Sequence, residues 1–368
     1  METKAMKKYL FIIPSLSKGG AERVVSVLAS ELIKQGRECV VVTHFRAEKE
    51  YPIEDKVKVV CLSGLDEIEY RKRINKKYLL QLAYQLRKVI FREKPDYIIP
   101  FLWTTCIRTD IALMGSSYKK AVIQTVRNNP YIYPESKFEK KYRDMLVRKS
   151  RKTIVQNNDQ KQYFSTNIQN KIFVLPNPIS ERLLQVKRSQ DSVLFRIVGV
   201  GRLEEQKNFE MLIDSVAEVY RSYPEVRLDI YGEGSLFEKL QKHINKLGLN
   251  EIITLKGRSN DYDEIYGKAS AFVLSSDFEG MPNTLMEAMA VGIPCISTDC
   301  PTGPKDIIQS YKNGILVPVG NVGELSRSIV TVIQDEQLRK KIGHEAKETI
   351  LSKYLPNHIG KLLIKICE

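Results

Sequence analysis

Glu279 and Glu287 stand with seven residues between them in the stretch SDFEGMPNTLMEAMAVGIPCISTDCPTGPKDII, from Ser276 to Ile308. On one helix, eight steps of about 100° would leave the two carboxylates roughly 80° apart, a poor grip on a single ligand. Gly280, Pro282 and Asn283 break such a helix, so Glu279 falls on a loop and Glu287 inside the helix that resumes at Thr284. A loop running into a helix start aims backbone N–H groups and the positive end of the helix dipole at whatever lies between the carboxylates. Phosphates on the amides and hydroxyls on the carboxylates suit that arrangement, which is the chemistry of a sugar diphosphate. Upstream, VGVGRLEEQKN (Val198 to Asn208) puts Gly201, Arg202 and Lys207 on a loop after an apolar run. There the arginine fork and the lysine point charge suit a diphosphate. Alternatively the loop is a solvated turn in which Glu204 and Glu205 neutralise both cations.

These groups need a scaffold, and its pattern is regular. YLFIIPS (Tyr9 to Ser15) reads as a buried strand, LSKGG as a loop, and AERVVSVLASELIKQG as a helix closing at Gly36. Strand-like runs such as ECVVVTHF, DYIIPFL, KAVIQTVRNN and TIVQNN alternate with helical spacing over Asn75 to Glu93 and Glu135 to Lys149. A second series runs from LFRIVGVG through helices at Asn208 to Arg221, Leu236 to Leu247 and Tyr262 to Ala269, ending in helices over Val322 to Lys353 and Asn357 to Ile366. Alternating apolar strands and amphipathic helices predict parallel, doubly wound α/β sheets. With 368 residues, two domains are expected. They are an N-terminal Rossmann-like domain over 1–180, a linker over 181–192 where ISERLLQVKRSQDS loses periodicity, and a second Rossmann-like domain over 193–355. The C-terminal helices are expected to pack back on the first domain, residues 356–368 returning to it. Side by side, two such domains place a ligand cleft between their facing strand ends.

Composition narrows the class: 43% hydrophobic and 28% charged residues are those of a globular protein. The net charge of +14 is uneven, with 37 Lys and Arg against 19 Asp and Glu through Gln190, and 21 against 25 beyond it. Six cysteines without CxxC spacing read as reduced, mostly buried thiols of a cytoplasmic protein. The start, METKAMKKYLFIIPSLSKGG, has a signal-like basic and apolar order, but Lys18-Gly19-Gly20 replaces a cleavage site. No apolar run approaches membrane-spanning length. Asp261-Tyr262-Asp263 opens a helical pattern and reads as a cap, not a metal motif, and no metal is expected. Gly232 to Gly234 reads as a strand-to-helix turn near the diphosphate.

GRLEEQKN, followed about seventy residues later by FEGMPNTLMEA, resembles the paired motifs of the retaining family 4 glycosyltransferases, whose fold is GT-B. SKGGAERVV and CPTGPKDII also resemble that family, especially members that build bacterial capsule, O-antigen and other lipid-linked glycans. The resemblance implies catalytic roles for Arg202 and Lys207 on the donor diphosphate and for Glu279 on the donor sugar, with Glu287 on the nucleotide ribose. It implies donor binding by Gly19, Gly20, Gly201, Gly280, Met281, Pro282, Asn283 and Thr284, the backbone of Met281 to Thr284 forming a phosphate cradle. Gly19 and Gly20 have the alternative of a tight turn only. Where many members carry a histidine, this chain has TVRNNP, so Arg127 is a candidate for acceptor or phosphate contact, with a structural salt bridge as the alternative. The implied mechanism is front-side attack with retention, a donor phosphate oxygen taking the acceptor proton. That requires no cofactor beyond the nucleotide-sugar substrate and no base among His44, His243, His344 and His358.

Two basic runs carry the excess charge, Arg71 to Lys77 and Lys137 to Lys152. They are either solvated faces or a surface for anionic leaflets, where each near-surface cation contributes about 1 kcal/mol. The expected enzyme moves a sugar from a nucleotide donor, a UDP-sugar, to a polyprenyl-linked glycan, as a cytoplasmic protein peripheral at the inner face of the membrane. A GT-B nucleotide-sugar epimerase and a basic nucleic-acid-binding protein are the alternatives, the latter lacking any recognition-helix or stacking motif.

Overall fold

The structure, a computed structural model, describes residues 6–17, 19–47, 51–189 and 193–368. Lys18 of the SKGG loop, residues 1–5 of the signal-like start and 190–192 of the expected linker lie outside the described residues. The chain divides into two units, Met1–Pro178 with Pro356–Glu368, and Ile179–Leu355.

In the first unit β1 (Lys8–Ile13), β2 (Glu38–Thr43), β3 (Lys58–Cys61) and β4 (Tyr97–Pro100) form a parallel sheet in the order β3-β2-β1-β4. Tyr9 stands beside Cys39 on one neighbour and Tyr97 on the other. β5 (Ile123–Thr125), β6 (Lys152–Val155) and β7 (Ile172–Val174) form a second parallel sheet, bridged to β4 between Ile98 and Val122. Helices cover both faces, which is why β1 is apolar and buried at every position after Lys8. On one face Val24, Leu28 and Leu32, spaced four apart on the Gly20–Lys34 helix, pack with Phe11 and with Ile359 and Leu363 of the Pro356–Cys367 helix. On the other, Leu86 and Ile90 of the Lys76–Glu93 helix pack on Leu10 and Ile12. Each such side chain, once buried, contributes about 1.5–3 kcal/mol.

The second unit holds β8 (Phe195–Val200), β9 (Val226–Tyr231), β10 (Ile253–Gly257), β11 (Ala271–Leu274), β12 (Cys295–Thr298) and β13 (Ile315–Val317). All are parallel, in the order β10-β9-β8-β11-β12-β13. Winding proceeds outward one way from β8 and the other way from β11, so the loops after these two strands diverge at a topological switch point. Open α/β sheets bind ligands there, beyond the strand C-termini.

Two expectations shift. The stretch expected as a linker is held to the second unit over its described part, because its few apolar side chains find a core. Ile179 and Leu183 are buried with Tyr266 and Leu285, Ile179 N donates to the Tyr354 carbonyl, and Arg188 donates to the carbonyls of Ala269 and Gly292. The units meet in sequence at Pro178–Ile179 and Leu355–Pro356 instead. Of the C-terminal helices, only Pro356–Cys367 belongs to the first unit; Glu336–Lys353 packs through Ala346 and Ile350 on the second.

Candidate functional site

Four loops at the C-terminal edge of β9, β8, β11 and β12 build the site in the second unit, and hydrogen bonds stitch them together. Between the loops after β8 and β11, Asn208 Nδ2 donates to Asp277 Oδ1 (2.8 Å), Gln206 Nε2 to the Phe278 carbonyl (2.9 Å) and Ser275 Oγ to the Lys207 carbonyl (2.8 Å). Asn208 has φ +43°, and its side chain also accepts from Met211 N, capping the Phe209–Tyr220 helix. Thr302, after β12, donates from N and Oγ1 to the Glu279 carbonyl, both at 3.0 Å. Gly303 has φ +102°, and a Cβ there would lie 2.9 Å from the Gly280 oxygen. Across the other side Gly232 has φ +150°, and a Cβ would meet the Gly201 carbonyl at 1.8 Å. The GEG turn is therefore glycine because two loops touch there.

At the centre Lys207 Nζ donates to Glu279 Oε1 at 2.6 Å, and Ser276 Oγ donates to the same oxygen at 2.7 Å. The Lys207 and Glu279 side chains are 14% and 7% exposed. No described residue donates to Glu279 Oε2. Glu204 and Glu205 do not neutralise Lys207: Glu204 accepts from Ser235, and Glu205 lies 3.9 Å from Lys239. Arg202 is exposed, with no side-chain hydrogen bond or ion pair to any described residue.

The helix after this loop spans Asn283–Val291, one residue earlier than its apolar spacing predicts. Pro282 occupies the cap position and supplies no side-chain cap of its own. Thr284 Oγ1 is buried there without a hydrogen-bond partner. An unmade bond of this kind costs about 1–3 kcal/mol, so the hydroxyl is available to a further oxygen. Glu287, one turn further in, is buried and accepts from the Tyr266 hydroxyl at 2.8 Å. Gly201, Arg202, Lys207, Glu279, the Gly280–Thr284 segment and Glu287 thus gather on neighbouring loops of one unit. Nothing local in the sequence marks Tyr266; Ser276 was legible only as the neighbour of a loop carboxylate. Asp261 caps the Tyr262–Tyr266 helix as expected, accepting from Asp263 N at 2.9 Å and Glu264 N at 3.3 Å. Among the described residues no three His, Cys, Asp or Glu side chains gather as a metal site.

The remaining candidates lie at the C-terminal edge of the first unit's strands. Gly19, with φ −111°, precedes the Gly20–Lys34 helix; a Cβ there would crowd the Glu22 carboxylate, so side-chain room and not φ favours glycine. Arg127 follows β5 with its guanidinium carbon 4.7 Å from the centre of the Phe101 ring. It donates to the Leu175 carbonyl and to Asn177 Oδ1, so a salt bridge is not what holds it.

Residues 18–182 match the family described as Glycosyltransferase Family 4, and residues 185–349 the one described as Glycosyl transferases group 1. A Campylobacter jejuni protein named as a GalNAc-alpha-(1->4)-GalNAc-alpha-(1->3)-diNAcBac-PP-undecaprenol alpha-1,4-N-acetyl-D-galactosaminyltransferase is 28% identical over 93% of both chains. An uncharacterized glycosyltransferase of Methanocaldococcus jannaschii is 32% identical over 260 residues, 62% of each chain. The crystal structure of Anabaena HepE with UDP and glucose superposes with a TM-score of 0.81 over 98% of both chains, at 17% identity, a likeness of fold. The two family matches together span residues 18–182 and 185–349, and the chain belongs to the family 4 glycosyltransferases, with the GT-B fold.

Proposed function

We propose that the protein transfers a sugar from a UDP-sugar to a hydroxyl of a lipid-linked glycan in the synthesis of a surface polysaccharide such as capsule or O-antigen, with retention and without a metal. The observation that carries the reading is the Lys207–Glu279 pair at the loop that runs into the Asn283–Val291 helix, where Thr284 Oγ1 is buried without a hydrogen-bond partner. Phosphate oxygens on that helix start would take the N–H groups and the Thr284 hydroxyl, with Lys207 and exposed Arg202 balancing the charge of the departing nucleotide. Glu279, whose Oε1 is occupied by two donors, offers Oε2 to a donor-sugar hydroxyl. Glu287 serves the ribose; in the first unit Gly19 and Gly20 are read as donor-binding residues and Arg127 as a phosphate contact.

Front-side attack, with a donor phosphate oxygen as base, is supported by the histidines: His44 is buried against Arg108, His243 bonds Asp214, and His344 and His358 belong to the Glu336–Lys353 and Pro356–Cys367 helices, not to the site loops. A UDP donor is supported by the ligands in the Anabaena structure, and a polyprenyl diphosphate acceptor by the substrate in the Campylobacter relative's name. No described helix is long and apolar enough to cross a membrane. The reading includes peripheral attachment to the inner leaflet, supported by exposed Lys72, Arg73, Lys76 and Lys77 beside exposed Ile74 and Leu80.

The test is nucleotide release from a panel of UDP- and GDP-sugars in EDTA, with and without extracted polyprenyl-linked glycans. Acceptor-dependent release of UDP from one donor is expected. Release that needs a divalent metal would remove the metal-free mechanism, and failure to bind any nucleotide would remove the site.

A further inference from the structure

Arg127 is anchored on three sides by neutral groups. Nη1 donates to the Leu175 carbonyl at 3.4 Å, Nη2 donates to Asn177 Oδ1, and the Phe101 ring lies against the guanidinium. Among the described residues no carboxylate pairs with it. Arg127 is half-buried, and an unpaired guanidinium partly removed from water is costly to hold. Burial lowers its pKa to about 9, which still leaves a cation at neutral pH. All these anchors follow β4, β5 or β7, on the edge where parallel strands present ligand-binding loops.

Behind Asn177 stands a chain of amides. Gln156 Nε2 donates to the same Asn177 Oδ1 at 3.2 Å, Gln156 Oε1 accepts from Gln160 Nε2 at 3.2 Å, and Gln156 N donates to Gln160 Oε1 at 2.8 Å. Asn177, Gln156 and Gln160 are 3%, 4% and 0% exposed, so these bonds fix which way each amide faces. Gln160 is itself set by its N–H, which donates to Asn157 Oδ1 at the start of the Asn158–Gln162 helix. The two bonds between Gln160 and Gln156 turn the Gln156 NH2 toward Asn177, and that NH2 turns the Asn177 oxygen toward Arg127. An aspartate at 177 would grip the guanidinium more strongly. The neutral chain fixes its position and leaves its charge available.

We propose that Gln160, Gln156 and Asn177 are positioning residues that hold Arg127 as an uncompensated cation for a diphosphate group. Only the source of that diphosphate, nucleotide sugar or lipid-linked acceptor, rests on the transferase reading; the anion site does not. A guanidinium with fixed donors matches phosphate oxygens in pairs, which a mobile lysine would not do as specifically.

The test compares the full chain with its Asn177→Asp, Gln156→Met and Arg127→Ala variants by calorimetric titration with inorganic pyrophosphate, alongside melting temperatures. Asn177→Asp neutralises the guanidinium in place. Its pyrophosphate affinity is expected to fall at least about tenfold, toward that of Arg127→Ala, while its melting temperature holds or rises. Gln156→Met keeps the side-chain volume but removes the donor that orients Asn177, and affinity is expected to fall several-fold. Should Asn177→Asp not fold, Gln156→Met decides. Wild-type affinity in the folded variants, or no dependence of pyrophosphate binding on Arg127, overturns the proposal. Where turnover is measurable, a raised KM for the nucleotide sugar assigns the diphosphate to the donor, and a raised KM for the lipid-linked glycan to the acceptor. Pyrophosphate binding that responds as expected in a protein that turns over no nucleotide sugar leaves the relay standing and removes the transferase reading.

Discussion

Lys207 and Glu279 are 72 positions apart in sequence and 2.6 Å apart at their charged atoms, with little solvent on either side chain. The lysine is thus held by a carboxylate, and both donors to that carboxylate, Lys207 and Ser276, use the same oxygen. A buried pair of this kind adds little net stability compared with apolar side chains, but removing one partner strands the other. The pair therefore makes more sense as preorganisation for a ligand that carries both phosphate and hydroxyls. Lys207→Ala is expected to remove a charged hydrogen bond to the diphosphate worth roughly 1.5–3 kcal/mol, weakening UDP binding by about 10- to 150-fold. Calorimetry on the folded variant checks this. Unchanged UDP affinity would mean that Lys207 serves only to neutralise Glu279.

At the scale of elements, what was legible and what was not follows from the range of the interactions. The strand–loop–helix order around Glu279, the break before the Asn283–Val291 helix and the Asp261 cap are set by residues a few positions apart, and the sequence displays them directly. The role of GEG was legible only as a turn, since its need for glycine comes from Gly201 on another loop. The amide chain behind Arg127 joins β6, β7 and the Asn158–Gln162 helix, and three uncharged residues in different segments give no periodic signal. A comparable knot ties other elements of the first unit. Arg108, on the Trp103–Ala112 helix, donates to the His44 ring after β2, 2.7 Å from Nε2. Burial, and then the Arg108 charge, hold the His44 pKa well below its ordinary value. The sign follows: the unfolded chain takes up a proton near pH 6.5 that the folded chain refuses, so stability is full above that pH and falls as pH drops below it. The loss from this one group is up to about 1.4 kcal/mol per pH unit until the folded pKa is reached. His44→Gln keeps an acceptor for Arg108 and is expected to flatten the stability curve between pH 5 and 7, measured by denaturant melts against wild type. Parallel curves for the two proteins would sink the assignment.

For the whole molecule the dominant feature is the basic excess before Gln190 against a slightly acidic remainder. Long-range charge of this kind governs encounter with surfaces more than it governs fold. Its two dense runs differ once folded. In the Lys137–Lys152 run, Arg143 is buried against Asp144 and the carbonyls of Pro130 and Tyr133, Lys140 binds the Tyr131 carbonyl, and Lys152 binds the carbonyls of Ile366 and Cys367. Those three cations are spent on the fold itself. In the other run only Arg71 is paired, with Glu67, while Lys72, Arg73, Lys76 and Lys77 are exposed and make no ion pair with any described residue. Ile68, Ile74, Leu80 and Tyr84 are 67%, 47%, 60% and 56% exposed on the same pair of helices and the turn between them, which sets apolar side chains beside free cations, as insertion into lipid headgroups requires. Each cation near an anionic surface contributes about 1 kcal/mol. Replacing Lys72, Arg73, Lys76 and Lys77 by glutamine is therefore expected to weaken binding to anionic vesicles by up to about a thousandfold in cosedimentation, while binding to neutral vesicles stays weak throughout. Glutamines replacing Lys137, Lys141, Arg148 and Lys149 form the control, since they remove equal charge from the other run. An equal loss in both variants would mean that net charge alone brings the protein to lipid, and a larger loss in the first would assign the contact to the Glu67–Arg73 and Lys76–Glu93 helices.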